Sequence, residues 1–148
     1  MPAAITSAQA RAIFLAAQRL ADPGWAAGTP RAVRGAVEHL GYVQIDAINV
    51  VERSHHHILF NRMPGYRPGH LRDAQSADRT VFEYWTHALA YVPVADYRYF
   101  VPAMRAFGRD PGRRFATVDP AQVRALLRRI KGDGPLSIRD IEDDRLAV

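Results

Sequence analysis

The sequence predicts a mainly α fold with short β segments. Three features carry that expectation: two capped helical segments near the N-terminus, two brief extended stretches, and further capped helical runs in the second half. With 148 residues, of which 48% are hydrophobic and 24% charged, the chain can bury a core without covalent staples.

The first helix starts at Thr6, where Gln9 three residues on completes a capping box. Ile13, Ala16, Ala17 and Leu20 follow at helical spacing, and Asp22-Pro23-Gly24 stops the run. Thr29-Pro30 starts a second helix, with a cap followed by proline at the first helical position. Its apolar stripe is Val33, Val37 and Leu40, and Gly41 suits the C-cap. Two short helices joined by a turn match the opening of a helix-turn-helix or winged-helix unit, as they match other helical proteins. Tyr42 to Asp46 reads as a brief extended segment, because Val43 and Ile45 alternate with Gln44 and Asp46.

Asn49 to Arg62 is expected to form the next helix, with Ile48, Val51, His55 and Leu59 on one side. Met63-Pro64-Gly65 ends it, and His70 to Ala77 is a further short helix. Val81 to Trp85 reads as extended. Pro93 then opens a helix to about Gly108, with a kink expected near Pro102. A basic loop from Arg109 to Arg114 leads to a helix capped at Asp119. That helix runs to about Lys131, with Val123, Leu126, Leu127 and Ile130 on its apolar side. Gly132 to Pro135 is a turn, and Ser137 with Asp140 starts one more helix.

The chain has no cysteine, which excludes disulfides, thiolate catalysis and cysteine-ligated zinc. No run approaches the roughly 20 apolar residues needed to span a bilayer. A signal-peptide pattern is missing from the N-terminus, so the expected compartment is the cytoplasm. The net charge of +5 is uneven: residues 1–100 carry +2, residues 101–131 carry +6 and residues 132–148 carry −3. Nineteen of the twenty basic side chains are arginine. Contact with nucleic-acid phosphates and plain compositional bias both fit that skew. The charge reversal and the late start of the last helix suggest a boundary. Residues 132–148 then either start a second, truncated domain after an N-terminal domain of residues 1–131, or form a frayed C-terminal helix packed back on that domain.

Gln44 and Asp46 are the leading chemical candidates. On an extended segment they point to one side while Val43 and Ile45 anchor the backbone. A carboxylate beside a carboxamide can hold and polarise water, which suits hydrolysis through an oxocarbenium-like transition state. Asp46 capping the following helix is the structural alternative. Arg53, His55, His56 and His57 form a second cluster, suited to phosphate contact or pocket support. Consecutive histidines on a helix diverge by about 100° and cannot all bind one metal, so no metal site is expected. Tyr84, Trp85 and His87 lie in a third cluster, able to serve as core or to face a base. Arg113 and Arg114 belong to the basic block.

Three segments, in order, resemble the bacterial winged-helix DNA glycosylase superfamily (YcaQ/AlkZ-like). They are L-G-Y-V-Q-I-D-A-I-N-V-V-E-R-S-H-H-H-I-L-F-N-R from Leu40 to Arg62, F-E-Y-W-T-H from Phe82 to His87, and G-P-L-S-I-R-D-I-E from Gly134 to Glu142. The resemblance implies a winged helix-turn-helix domain with additional helices, in a protein that hydrolyses the N-glycosidic bond of alkylated or crosslinked nucleotides. Gln44-Ile45-Asp46 looks like the family's glutamine-apolar-aspartate motif. By that likeness Asp46 activates the attacking water and Gln44 helps to hold it. Arg53, His55, His56, His57, Tyr84, Trp85, His87, Arg113 and Arg114 would then bind DNA or support the cleft. The likeness also makes residues 132–148 the start of a second winged-helix unit. The expected partner is double-stranded DNA with alkylated bases, met by a monomer that uses no cofactor and no membrane. A non-catalytic winged-helix DNA-binding protein or regulator is the alternative.

Overall fold

The computed structural model describes residues 4–21, 27–46, 48–110, 118–136 and 140–141. The chain divides into two compact units, Met1–Val101 and Pro102–Val148. Together the described elements make a mainly helical fold with a small open β-sheet, as expected of a winged helix-turn-helix architecture.

In the first unit, α1 (Ser7–Ala17) begins where Thr6 accepts from Gln9 N and the Gln9 side chain accepts from Thr6 N, completing the capping box. α2 (Pro30–Leu40) has Thr29 as its cap and Gly41 at φ 80° as its stop, a backbone angle that suits glycine. Just before α2, Gly28 lies against the Gly65–Tyr66 backbone. A Cβ there would stand 1.9 Å from the Gly65 carbonyl oxygen, so this crossing requires glycine. β1 (Val43–Gln44) is followed by α3 (Ser54–Phe60) and α4 (Pro68–Ser76).

β2 (Val81–Trp85) and β3 (Leu89–Pro93) form an antiparallel hairpin, and β3 also pairs with β1, giving the order β1-β3-β2. The core lies between one face of this sheet and the three helices α2, α3 and α4. Val33, Val37, Val43, Leu59, Met63, Leu71 and Val81 are buried there. Leu59 is fully enclosed, and truncating it to alanine would cost about 2–5 kcal/mol.

Two expectations are corrected. The helix expected over Asn49–Arg62 exists only as Ser54–Phe60. Ile48 and Val51 do not join its core-facing side; they are exposed in the loop before it. Local hydrogen bonds from backbone N–H groups to the Asp46 and Glu52 carboxylates hold that loop and compete with helix. The helix expected to open at Pro93 starts at Tyr97. Leu89–Pro93 is instead a strand, ending on a proline that need not donate to the ladder. A short 3-10 turn, Val94–Asp96, joins it to α5 (Tyr97–Arg109), which carries Pro102 in its interior.

α1 buries no residue, and Ile13 and Phe14 on it are exposed. Its C-terminal end is tied down instead by polar bonds. Arg62, itself buried, donates from Nε to Gln18 O at 2.9 Å and from Nη1 to Ile58 O at 2.9 Å. His39 Nε2 meets Ala17 O at 2.7 Å. Hydrogen bonds from a charged donor are worth about 1.5–3 kcal/mol each. Arg62→Met is therefore expected to raise amide hydrogen exchange throughout α1 while α2 keeps its protection, as read by mass spectrometry. Equal protection of α1 in both proteins would contradict this anchoring.

In the second unit, α6 (Pro120–Asp133) is capped by Asp119, which accepts from Ala121 N, and is followed by Gly134 at φ 95°. The stop at Asp22-Pro23-Gly24, most of the Arg109–Arg114 loop and the helix start at Ser137 lie outside the described residues.

Candidate active site

The polar pair arises from strand alternation at β1. Val43 is buried and Ile45 packs on the core, while Gln44 is exposed and Asp46 half-buried. Pairing continues one residue past the strand, through Ile45 N to Leu89 O at 2.8 Å. The backbone entering Asp46 is thus fixed to the sheet.

Gln44 and Asp46 have different neighbours. The Gln44 carboxamide oxygen accepts from His87 Nε2 at 3.2 Å, and the His87 ring meets Tyr42 edge-on at 5.2 Å. Asp46 Oδ1 accepts from Ile48 N at 2.9 Å, turning the chain sharply after the strand. That bond uses one oxygen in local capping, two residues on rather than at the start of α3. The same carboxylate lines an open depression of about 330 Å³. Its other walls come from Ile48, Val50, Val51 and Glu52 on the loop and from Ser54 and His57 on α3.

The three histidines divide by depth. His55 is buried against the Tyr91 ring at 5.6 Å, and its Nδ1 has no hydrogen-bond partner. Burial drives its imidazole down to about 4, helped by neighbouring His56 and Arg53 and opposed by Glu52 and Asp46. His56 is half-buried and bonded to the Tyr66 hydroxyl at 2.6 Å. Burial lowers the His56 pKa and raises that of Tyr66, so this pair is neutral. His57 is exposed at the depression and bonds Glu52 O at 3.1 Å. Arg53 is exposed, and its N–H donates to Glu52 Oε1 at 2.9 Å.

The sheet register sorts the aromatic cluster. Gln44 and Tyr84 both stand opposite Ala90 and so share a face, on which the Tyr84 ring packs against Phe82 and Phe100. Trp85 projects from the other face and is exposed. Glu83 is opposite Tyr91 and accepts from Gln75 Nε2 at 2.9 Å. Burial and the Glu83 carboxylate push the Tyr91 phenol up to about 12. In the second unit Arg105, Arg109, Arg124 and Arg128 are exposed, while Arg113 and Arg114 lie outside the described residues.

Sequence reasoning missed two features. One is the packing of His55 on Tyr91, which depends on the unforeseen strand β3. The other is the exposed pair Val50-Val51, whose adjacency to two local capping acids was the available signal. Among the described residues, no group of three His, Asp or Glu is placed to hold a metal ion, and no helix is long and apolar enough to cross a membrane.

Residues 37–147 match the family described as DNA glycosylase AlkZ-like. No solved structure matches the chain.

Proposed function

The chain belongs to the AlkZ-like DNA glycosylase family, and from that premise we propose that it hydrolyses the N-glycosidic bond of alkylated purines in duplex DNA. Interstrand-crosslinked nucleotides fall in the same substrate class. Asp46 accepts a proton from the attacking water and stabilises the positive charge that grows on the sugar. Gln44 holds that water through its carboxamide N–H, since its oxygen is already taken by His87.

One observation carries this reading. Two polar side chains are accessible at the end of a strand whose apolar residues, Val43 and Ile45, fasten it to the core. Backbone fixed to the sheet up to Ile45 holds a reacting group better than a free loop does. An N7-alkylated purine is a cationic leaving group, so one water activator suffices and no strong general acid is required. The open shape of the depression beside Asp46 suits a bulky adduct better than a snug base pocket would.

The test is release of free base from a duplex containing N7-methylguanine by the intact protein, read by chromatography. Release that leaves an abasic site is expected. Duplex binding without release would contradict the proposal and favour a non-catalytic DNA-binding protein.

A further inference from the structure

We propose that Val50 and Val51 form an apolar wedge that enters the DNA groove beside the reacting nucleotide and loosens the stacking there. This inference rests on the reading of Asp46 given above and adds the residues that open the substrate to it.

The two valines are 88% and 85% exposed, and Ile48 beside them is 69% exposed. Single apolar side chains at a surface are ordinary, whereas three within four residues are not. The loop that carries them is built to hold them out. Asn49 and Arg53 form an antiparallel bridge, so Val50, Val51 and Glu52 make the tip of a closed turn. Asp46 Oδ1 holds Ile48 N at one end, and His57 Nε2 meets Glu52 O at the other. The Glu52 carboxylate folds back on Arg53 N, which ties the end of the turn to the start of α3. Valine itself is stiff at χ1, so little freedom is lost when the tip is gripped.

The occupant follows from continuity. Val50 and Val51 wall the same depression as Asp46. Any nucleotide whose sugar reaches that carboxylate must touch them. Minor-groove proteins commonly push apolar side chains between base steps, partly unstacking them. A glycosylase gains from this, because a loosened nucleotide exposes its glycosidic bond to a water held at the protein surface.

The experiment uses the intact protein and a duplex carrying 2′-fluorinated N7-methylguanine, whose glycosidic bond resists hydrolysis, with 2-aminopurine at the neighbouring step. Wild type is expected to raise the 2-aminopurine fluorescence on binding. V50S/V51S should lose that rise and release base from the ordinary N7-methylguanine duplex about tenfold more slowly or worse. Its melting temperature should match wild type, because the valines touch solvent. An unchanged fluorescence rise in the double variant would overturn the wedge. A lowered melting temperature would also overturn it, by showing that the valines pack against protein. Normal base release by Asp46→Asn, with the fluorescence rise intact, would instead remove the water-activation role and leave the wedge standing.

Discussion

Asp46→Asn is expected to lower single-turnover base release from N7-methylguanine duplex by about 10²-fold or more, the usual scale for loss of positioned acid–base help. The substitution is close to isosteric. Its Oδ1 can still accept from Ile48 N, so the turn after β1 and the loop that follows should survive. What disappears is the negative charge and the capacity to take a proton. Duplex affinity should therefore change little, because phosphate contacts dominate it. A drop in rate without a drop in affinity separates chemistry from binding. Unchanged release would show that the Asp46 carboxylate serves only its local turn.

Acidification from pH 7 to pH 5 is expected to cost the fold about 2 kcal/mol through His55 alone. In the folded state its imidazole titrates near 4, against 6.5 when unfolded. Between those values the unfolded chain binds the extra proton, so stability is full above the unfolded value and falls as pH drops toward the folded one. The physical cause is first the burial of the ring against Tyr91, then the Arg53 charge and the cost of a second proton beside His56. His56 shifts in the same direction and adds to the loss. His55→Leu removes a buried nitrogen that has no partner and should flatten most of the pH dependence, in urea titrations at both pH values. Equal stability of the wild-type protein at pH 7 and pH 5 would contradict the buried neutral state.

Both effects meet at the segment from β1 to α3, and this is also where sequence reading was most and least successful. Helix starts were legible wherever a side chain met the backbone locally. Thr6 with Gln9, Thr29 with Pro30, and Asp119 all cap the helices that their spacing announces. The accessible pair Gln44 and Asp46 was legible for a similar reason, since alternation over five residues reports two faces of an extended chain. Residues 49–53 were not. Their apolar members sit at helical spacing with His55 and Leu59, yet capping by Asp46 and Glu52 outcompetes the first helical turns. Leu89–Pro93 was missed because the hairpin turn before it, Thr86-His87-Ala88, has no glycine, proline, asparagine or aspartate to announce it, and its other pairing, with β1, spans more than forty residues. The partners of His55 and of Gln44 both depend on that strand or on the hairpin turn before it, so neither could be read ahead of the fold.

The role of the Asp46 carboxylate toward a cationic sugar is tested most directly by affinity for a transition-state mimic. The measurement compares the intact protein on two duplexes, one with a positively charged pyrrolidine azasugar at the reacting position and one with neutral tetrahydrofuran there. Wild type is predicted to prefer the charged duplex by about 10²-fold or more, and Asp46→Asn to lose most of that preference. Equal affinity of wild type for the two duplexes would contradict a carboxylate poised on the glycosidic carbon.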